Sequence, residues 1–173
     1  MEIYLILSTV LLGFIVLFSI HMIKGAISNA ILVKTQAETK QKMLTIATPL
    51  KLQAYERMCL FLERITPGNL LLRLVPSVET TSQLQQMALH EIREEYNHNA
   101  AQQIYLSSQA WELIGAAMNH TVLLINDLAG QTDASAPAQE LARRIMGHLV
   151  ENEVQPTVAA LEMLRKEVRT IIG

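Results

Sequence analysis

Residues 3–23 read IYLILSTVLLGFIVLFSIHMI and contain no Lys, Arg, Asp or Glu. As an α-helix this segment would extend about 30 Å, at about 1.5 Å per residue, which matches the hydrocarbon core of a bilayer. A buried core helix of this length without a charge would be unusual in so small a chain, because helices of soluble domains keep a polar side, as does a helix lying in a membrane interface. The segment therefore predicts a transmembrane helix that places residues 3–23 in a lipid bilayer.

A cleaved secretory signal peptide is the alternative interpretation of this segment. Such a peptide has a basic start, a shorter apolar run and a small-residue cleavage site close behind it. Here the acidic Met1-Glu2 comes first, and the small residues Ser28-Asn29-Ala30 lie well beyond the expected cleavage position. An uncleaved anchor is favoured.

Basic residues near the two ends of a membrane helix predict its orientation, because the cytoplasmic side carries the excess of Lys and Arg. No basic residue precedes the predicted span, whereas Lys24, Lys34, Lys40 and Lys42 follow it. We expect the amino terminus outside and the following domain in the cytoplasm. The single Cys59 cannot form an internal disulfide, so nothing in the sequence implies an oxidising compartment.

The composition favours an all-α protein without affinity for nucleic acid. The chain has 173 residues and a formal net charge of −2, so it lacks the basic field that attracts a polyanion. Ala, Leu, Gln, Glu and Met dominate after the span, and these residues favour helices. We divide the chain into a transmembrane anchor at 1–24, a juxtamembrane helical stalk at 25–48 and a bundle of about five helices at 49–173.

The stalk carries a weak seam of small and apolar residues. They recur at steps of three and four with Lys40 as an interruption, at Ala26, Ala30, Val33, Ala37, Leu44 and Ala47. This is heptad spacing, but alanine buries little area at each position. The seam predicts a stalk that rests against its own domain, and a self-associating coiled coil is the alternative.

Local signals divide the predicted bundle into helices. Pro49 is expected to end or kink the stalk helix, with Thr48 capping a new helix that continues to Ile65. A turn at 66–69 precedes a short helix at 70–75 capped by Asn69. Further on, Thr80 and Gln83 form a capping-box pattern.

The second half of the chain contains the clearest amphipathic helix. Ser107 or Ser108 can cap it, and one face carries Trp111, Ile114, Met118, Val122, Ile125 and Leu128. Residues 130–137 follow as a small, polar loop that we expect to be mobile. Two more helices, separated or kinked at Pro156, are predicted to end the chain.

One cluster has the residue types of a metal site. His90, Glu94 and His98 are spaced four apart, so a helix places them on one face, and Glu95 with His98 forms Glu-x-x-His. Carboxylate-bridged di-iron bundles use that motif, but they need two copies and two further Glu residues, and the chain has one copy. A solvated face with Glu–Arg pairing is the structural alternative. We predict four candidate metal ligands: His90, Glu94, Glu95 and His98.

Other chemistry is not indicated. Cys59 lies in an apolar arc without a neighbouring His or second Cys, so an inert core thiol is expected. Trp111 is expected to anchor the core. The chain has no Gly-rich phosphate loop, nucleophile elbow or cysteine metal motif, and we predict no catalytic residue and no cofactor.

Two stretches resemble a known group of proteins. They are LQAYERM at 52–58 continuing to FLERI at 61–65, and His98-Asn99 through QQIY at 102–105 to Ala110-Trp111-Glu112. Together with the amino-terminal anchor they resemble an uncharacterised family of small single-pass membrane proteins of Bacteroidota, over about Pro49 to Asn126. The resemblance implies a bacterial inner membrane and brings no catalytic residues.

The leading functional hypothesis is a membrane-tethered helical interaction module, such as a scaffold, an assembly factor or an accessory subunit of an inner-membrane complex. Its expected partner is another protein or a second copy of the chain. The alternative from another class is a metal-binding protein or metal-dependent enzyme that uses the cluster at 90–98.

Overall fold

A computed structural model describes the backbone of residues 1–151 and 155–173, and their side chains except at 4–10, 26, 27 and 30. Every regular element in these residues is helical, which confirms the all-α prediction. The α-helices are α1 (Glu2–Ile65), α2 (Pro67–Leu74), α3 (Thr81–Asn99), α4 (Ser108–Gly130), α5 (Ala138–Glu151) and α6 (Pro156–Ile172). Short 3₁₀ segments, Val75–Ser77 and Ala100–Tyr105, follow α2 and α3.

The chain divides into two compact units, Met1–Ala47 and Thr48–Gly173. The first unit consists of the amino-terminal part of α1, and all of its described side chains are exposed. They include large apolar side chains between Leu11 and Ile23, for example Phe14 at 72% and Leu17 at 68% exposure.

Among the residues with described side chains, no helix meets the length and hydrophobicity required of a membrane-crossing segment. The predicted span at 3–23 includes residues 4–10, whose side chains lie outside that description. Ala26 and Ala30 of the predicted stalk seam also lie outside it.

The prediction that Pro49 ends a helix, with Thr48 capping the next one, was wrong. Pro49 lies inside α1, which continues to Ile65. A proline removes one backbone donor, so a single i→i−4 hydrogen bond is lost. The residues after it, LKLQAYERM, favour a helix, and their buried face is held by the core of the second unit.

The core of the second unit forms around the last turns of α1. Tyr55, Met58, Phe61, Leu62 and Ile65 are at most 1% exposed, in agreement with the apolar arc predicted there. The other helices contribute fully buried side chains to the same cluster: Leu70, Leu84, Ile92, Ile114, Ile125, Leu141, Ile145 and Leu164. This stretch of α1 is therefore central to the fold.

Helix caps agree with the sequence signals in two of four places, Thr48 being one of the two that fail. The capping box of Thr80 and Gln83 is present at α3, and the Ser107 hydroxyl caps α4 by accepting a hydrogen bond from Ala110 N at 3.0 Å. The cap of α2 was assigned to the wrong residue. Thr66 occupies the N-cap position with Pro67 in the first turn, which suits proline's fixed φ. Asn69 instead donates to the carbonyl of Glu63 at 2.9 Å near the end of α1.

The buried stripe of α4 differs from the predicted one. Ile114 and Ile125 are buried as expected, whereas Trp111, Met118, Val122 and Leu128 are only half-buried. Small residues take the central positions of the interface, with Ala110, Ala117 and Thr121 at most 2% exposed. They allow neighbouring helices to approach closely, so large residues alone did not identify the packed face.

The loop at 130–137 is mostly exposed, with Thr132 buried, and hydrogen bonds attach it to α3. Its carbonyls at Ala134 and Ala136 accept backbone hydrogen bonds from Ser82 and Thr81, at 3.1 and 2.8 Å. Within the loop, Asp133 accepts hydrogen bonds from the backbone and hydroxyl of Ser135. The loop is therefore tied to the first turn of α3.

The core assignment predicts contrasting costs for two isoleucines. Ile92 is fully buried in α3, whereas Ile104 is 74% exposed. We expect Ile92→Ala to lower the free energy of unfolding by about 2–5 kcal/mol and Ile104→Ala by less than about 0.5 kcal/mol. Urea denaturation of the full chain in mild detergent, followed by Trp111 fluorescence, measures both. Equal costs would contradict the assigned core.

Candidate functional site

The four predicted metal ligands on α3 point in two directions. His90, Glu94 and His98 are exposed, whereas Glu95 is half-buried and pairs with Arg64 of α1 at 3.0 Å. Asn99 also donates to the Glu95 carboxylate at 3.3 Å. The cluster is therefore split, because its most buried carboxylate already has two partners.

No metal-binding group of three or more His, Cys, Asp or Glu residues occurs in the described part of the chain. Beside the cluster, Glu91 pairs with Arg73 of α2 at 3.2 Å. Exposed ion pairs of this kind contribute about 0–1 kcal/mol each. The metal hypothesis for His90, Glu94, Glu95 and His98 stays a prediction.

A polar cluster that the sequence analysis missed joins three helices. Glu167 of α6 accepts a hydrogen bond from the hydroxyl of Tyr55 on α1. Its other carboxylate oxygen accepts from the Ser107 hydroxyl at 2.5 Å. Because Ser107 also caps α4, one carboxylate links α1, the start of α4 and α6.

The environment of this cluster keeps Tyr55 neutral. Burial, together with the hydrogen bond and the negative charge of Glu167, raises the pKa of Tyr55 to about 12. The phenol therefore retains its proton, and it remains a donor to the carboxylate well above neutral pH. Since both polar groups are satisfied by each other, the cluster acts as a structural clamp.

The spacing of α6 held a signal for Glu167. Leu164, Glu167, Val168 and Ile171 recur at helical spacing on the side that packs against the core. A carboxylate in that series must meet a donor, since burying a charge without one is costly. The donor, Tyr55, lies 112 positions away in sequence, so its identity could not be inferred from the spacing.

Aromatic residues and the cysteine serve packing. Phe61 and Tyr96 have ring centroids 5.9 Å apart, and Tyr96 stacks on Trp111 at 5.5 Å. Trp111 thus anchors the edge of the core from a half-buried position. Burial raises the pKa of the Cys59 thiol, which agrees with the expected inert side chain.

A small cavity lies between α4, α5 and the start of α6. His120, His148, Thr121 and Thr157 are among its lining residues, and its volume is about 100 Å³. Binding sites for drug-sized ligands and cofactors occupy roughly 300–1,000 Å³. The cavity brings two distant histidines together but is too small for an organic cofactor.

An apolar groove of about 420 Å³ runs between α2 and α5. One wall contains Leu71, Leu72 and Val75, and the other contains Ala142, Arg143 and Met146. Leu72 is 77% exposed and Met146 is 44% exposed, so large apolar side chains at this groove face solvent. This groove is the strongest candidate for a binding surface in the second unit.

The sequence indicated one wall of this groove but not the other. The run Leu70-Leu71-Leu72 is apolar, and Leu70 and Leu71 are buried. Leu72 points outward because three consecutive helical residues cannot share one face. Its neighbour across the groove, Met146, could be identified only once α5 was placed.

The chain matches a known protein-family model. A model described as a family of unknown function, DUF7935, matches residues 1–171. No curated protein and no solved structure matches the chain.

The Tyr55 clamp predicts a loss of stability on removal of one hydroxyl. Tyr55→Phe leaves the half-buried Glu167 carboxylate without one donor, so we expect the free energy of unfolding to fall by about 1–3 kcal/mol. Tyr105→Phe is the matched control, because Tyr105 forms no side-chain hydrogen bond among the described residues. Urea denaturation at pH 7 measures both, and equal effects would contradict the clamp.

The same clamp predicts a pH dependence at the alkaline end. The pKa of Tyr55 is raised from 10.0 to about 12 on folding, so its contribution to stability is complete below pH 10 and is lost as pH rises from 10 to 12. We expect the difference in unfolding free energy between wild type and Tyr55→Phe to shrink over this range. A difference that stays constant from pH 9 to pH 12 would contradict the raised pKa.

Proposed function

Because the chain belongs to the DUF7935 family, whose function is unknown, we propose a function from its own geometry: it is a membrane-tethered helical interaction module without catalysis of its own. The match confirms the expected membership in an uncharacterised family. An origin in Bacteroidota and a membrane location are part of the proposal.

The proposal of a membrane anchor is supported by the exposed apolar surface of α1. From Leu11 to Ile23 every described side chain is exposed, and the large apolar ones lie on all sides of the helix. Exposure of such a surface to water is unfavourable, because burial of each large apolar side chain stabilises the protein by about 1.5–3 kcal/mol. A bilayer around residues 3–23 would remove it from water on every side at once.

Orientation follows from the lysines after this segment. Lys24, Lys34, Lys40 and Lys42 would lie on the cytoplasmic side, and the amino terminus would lie outside. The second unit, Thr48–Gly173, would then work in the cytoplasm at an inner membrane.

The groove between α2 and α5 supports the interaction role. Its exposed Leu72 and Met146 lie beside buried residues of the same helices, so a partner would extend an existing apolar core. Protein interfaces gain most of their energy from a few such central side chains. We therefore assign partner binding to this groove.

Charged substitutions in the proposed anchor test the tether. Each arginine at the centre of a membrane helix costs about 2.5–3.5 kcal/mol, so the pair Val16→Arg and Leu17→Arg should move most of the protein from the carbonate-resistant membrane fraction to the soluble fraction. The control pair, Val33→Arg and Leu44→Arg, lies beyond the proposed span on equally exposed helix. It should leave the protein in the membrane fraction.

Release of the wild-type chain by carbonate would contradict the tether. A reporter fused after Gly173 tests orientation in the same cells, and activity of a periplasm-specific reporter would contradict the proposed cytoplasmic domain.

Photo-crosslinking at matched exposed positions tests the groove. A photoreactive amino acid replaces Leu72 in one variant and Ile104 in another, and these residues are 77% and 74% exposed. We expect a discrete protein adduct from position 72 in intact cells and at least tenfold less from position 104. No adduct at position 72, or equal adducts at both, would contradict a binding role for the groove.

A further inference from the structure

The exposed face of α5 is complementary to itself. Arg143, Met146, Gly147, Val150 and Glu151 follow at helical spacing and are all exposed. The face therefore has a cation at one end, an anion at the other, and two apolar side chains with a glycine between them.

Among the described residues, neither charge on this face has a partner. Arg144 pairs with Glu140 of the same helix at 3.7 Å, and Arg73 of the neighbouring α2 pairs with Glu91. Arg143 and Glu151 form no ion pair or side-chain hydrogen bond with any described residue. Arg143 at the edge of the groove therefore has no anionic partner among the described residues.

The spacing of the charges is symmetric about Gly147. Arg143 precedes this glycine by four residues and Glu151 follows it by four. Each charge therefore lies about one helical turn, roughly 6 Å, from the glycine along the axis. A two-fold axis through Gly147 would place Arg143 of each copy opposite Glu151 of the partner subunit, forming two identical ion pairs.

Gly147 leaves room for a close crossing. No atom lies within 4 Å of the position that a Cβ would occupy there, so the space above its backbone is open. Interhelical distances of about 8–10 Å depend on the side chains at the contact, and glycine permits the short end of that range. Met146 and Val150, at 44% and 83% exposure, would then be covered together with Leu72 of the groove.

We propose that the partner of this surface is a second copy of the chain, with the two α5 helices packed antiparallel across Gly147. This inference rests on the proposed interaction role and names its partner. One helix pair and the adjoining groove form a small interface, whereas stable complexes bury about 1,600 Å² in total. Tethering both copies to one membrane raises their effective concentration and offsets the small area.

Charge exchange tests the proposed pairing directly. In nanodiscs containing the full chain, Arg143→Glu alone and Glu151→Arg alone should each lower the dimer population at least fivefold, because each sets like charges opposite one another. The double variant restores both ion pairs and should return the dimer to within twofold of wild type. Its control, Glu162→Arg with Arg169→Glu, exchanges two exposed charges on α6 and should have no effect.

Disulfide trapping gives an independent measurement of geometry. In a Cys59→Ser background, Gly147→Cys places one thiol beside the two-fold axis, so mild oxidation should trap most of the chain as a covalent dimer. Ala116→Cys is the control, because this residue is exposed on α4 and is not part of the proposed α5 face, and it should give only a minor dimer.

The results separate the second copy from other partners. Failure of the double variant to restore dimers, or equal trapping at positions 116 and 147, would overturn the antiparallel α5 pairing. If the adduct at Leu72 then has the mass of this chain plus a different protein, the interaction role holds and the second copy is excluded. An adduct of twice the chain mass, together with restoration, supports the proposal.

Discussion

Removal of apolar surface from water is the constraint on which this structure depends. The end of α1, from Tyr55 to Ile65, satisfies it within the chain, because the following helices supply the side chains that cover it. The part from Leu11 to Ile23 carries equally large apolar side chains that are exposed. The first arrangement produces a folded bundle, and the second is the physical basis for proposing a bilayer around the amino-terminal part of α1.

Polar groups inside the second unit link its helices by hydrogen bonds. The carboxylate of Glu167 binds the hydroxyls of Tyr55 and Ser107, so α1, α4 and α6 are linked through one side chain. Backbone hydrogen bonds from Thr81 and Ser82 hold the 130–137 loop in the same way. A bundle secured at these points can present a fixed groove between α2 and α5, and a preformed surface loses little conformational entropy on binding.

Local sequence patterns were sufficient for features decided by neighbouring residues. The all-helical class, the capping box at Thr80 and the cap at Ser107 depend on interactions within a few positions, and all three are present. Pro49 failed as a helix end because the packing of distant helices on α1 outweighs one missing hydrogen bond. The predicted α4 face packs against the core, but its central positions are small residues such as Ala117, which the pattern of large side chains did not include.

The candidate site depends on contacts between distant parts of the chain. Tyr55 and Glu167, or Leu72 and Met146, have no local pattern that connects them, so only the fold brings them together. For the candidate metal residues a local pattern exists, because their spacing places His90, Glu94 and His98 on one face. That pattern could not show that Glu95 pairs with Arg64 of α1. Helical periodicity shows which residues share a face of one helix, and the fold shows which residues of other helices contact that face.

The central claim is that residues 3–23 lie in lipid, and site-directed spin labelling in nanodiscs measures this most directly. Nitroxides placed one at a time from Phe14 to Ile20, in a Cys59→Ser background, report their accessibility to oxygen and to a water-soluble nickel complex. The account predicts high oxygen and low nickel accessibility at every position, in contrast to Val33 and Leu44. Nickel accessibility from Phe14 to Ile20 equal to that at Val33 and Leu44 would contradict it.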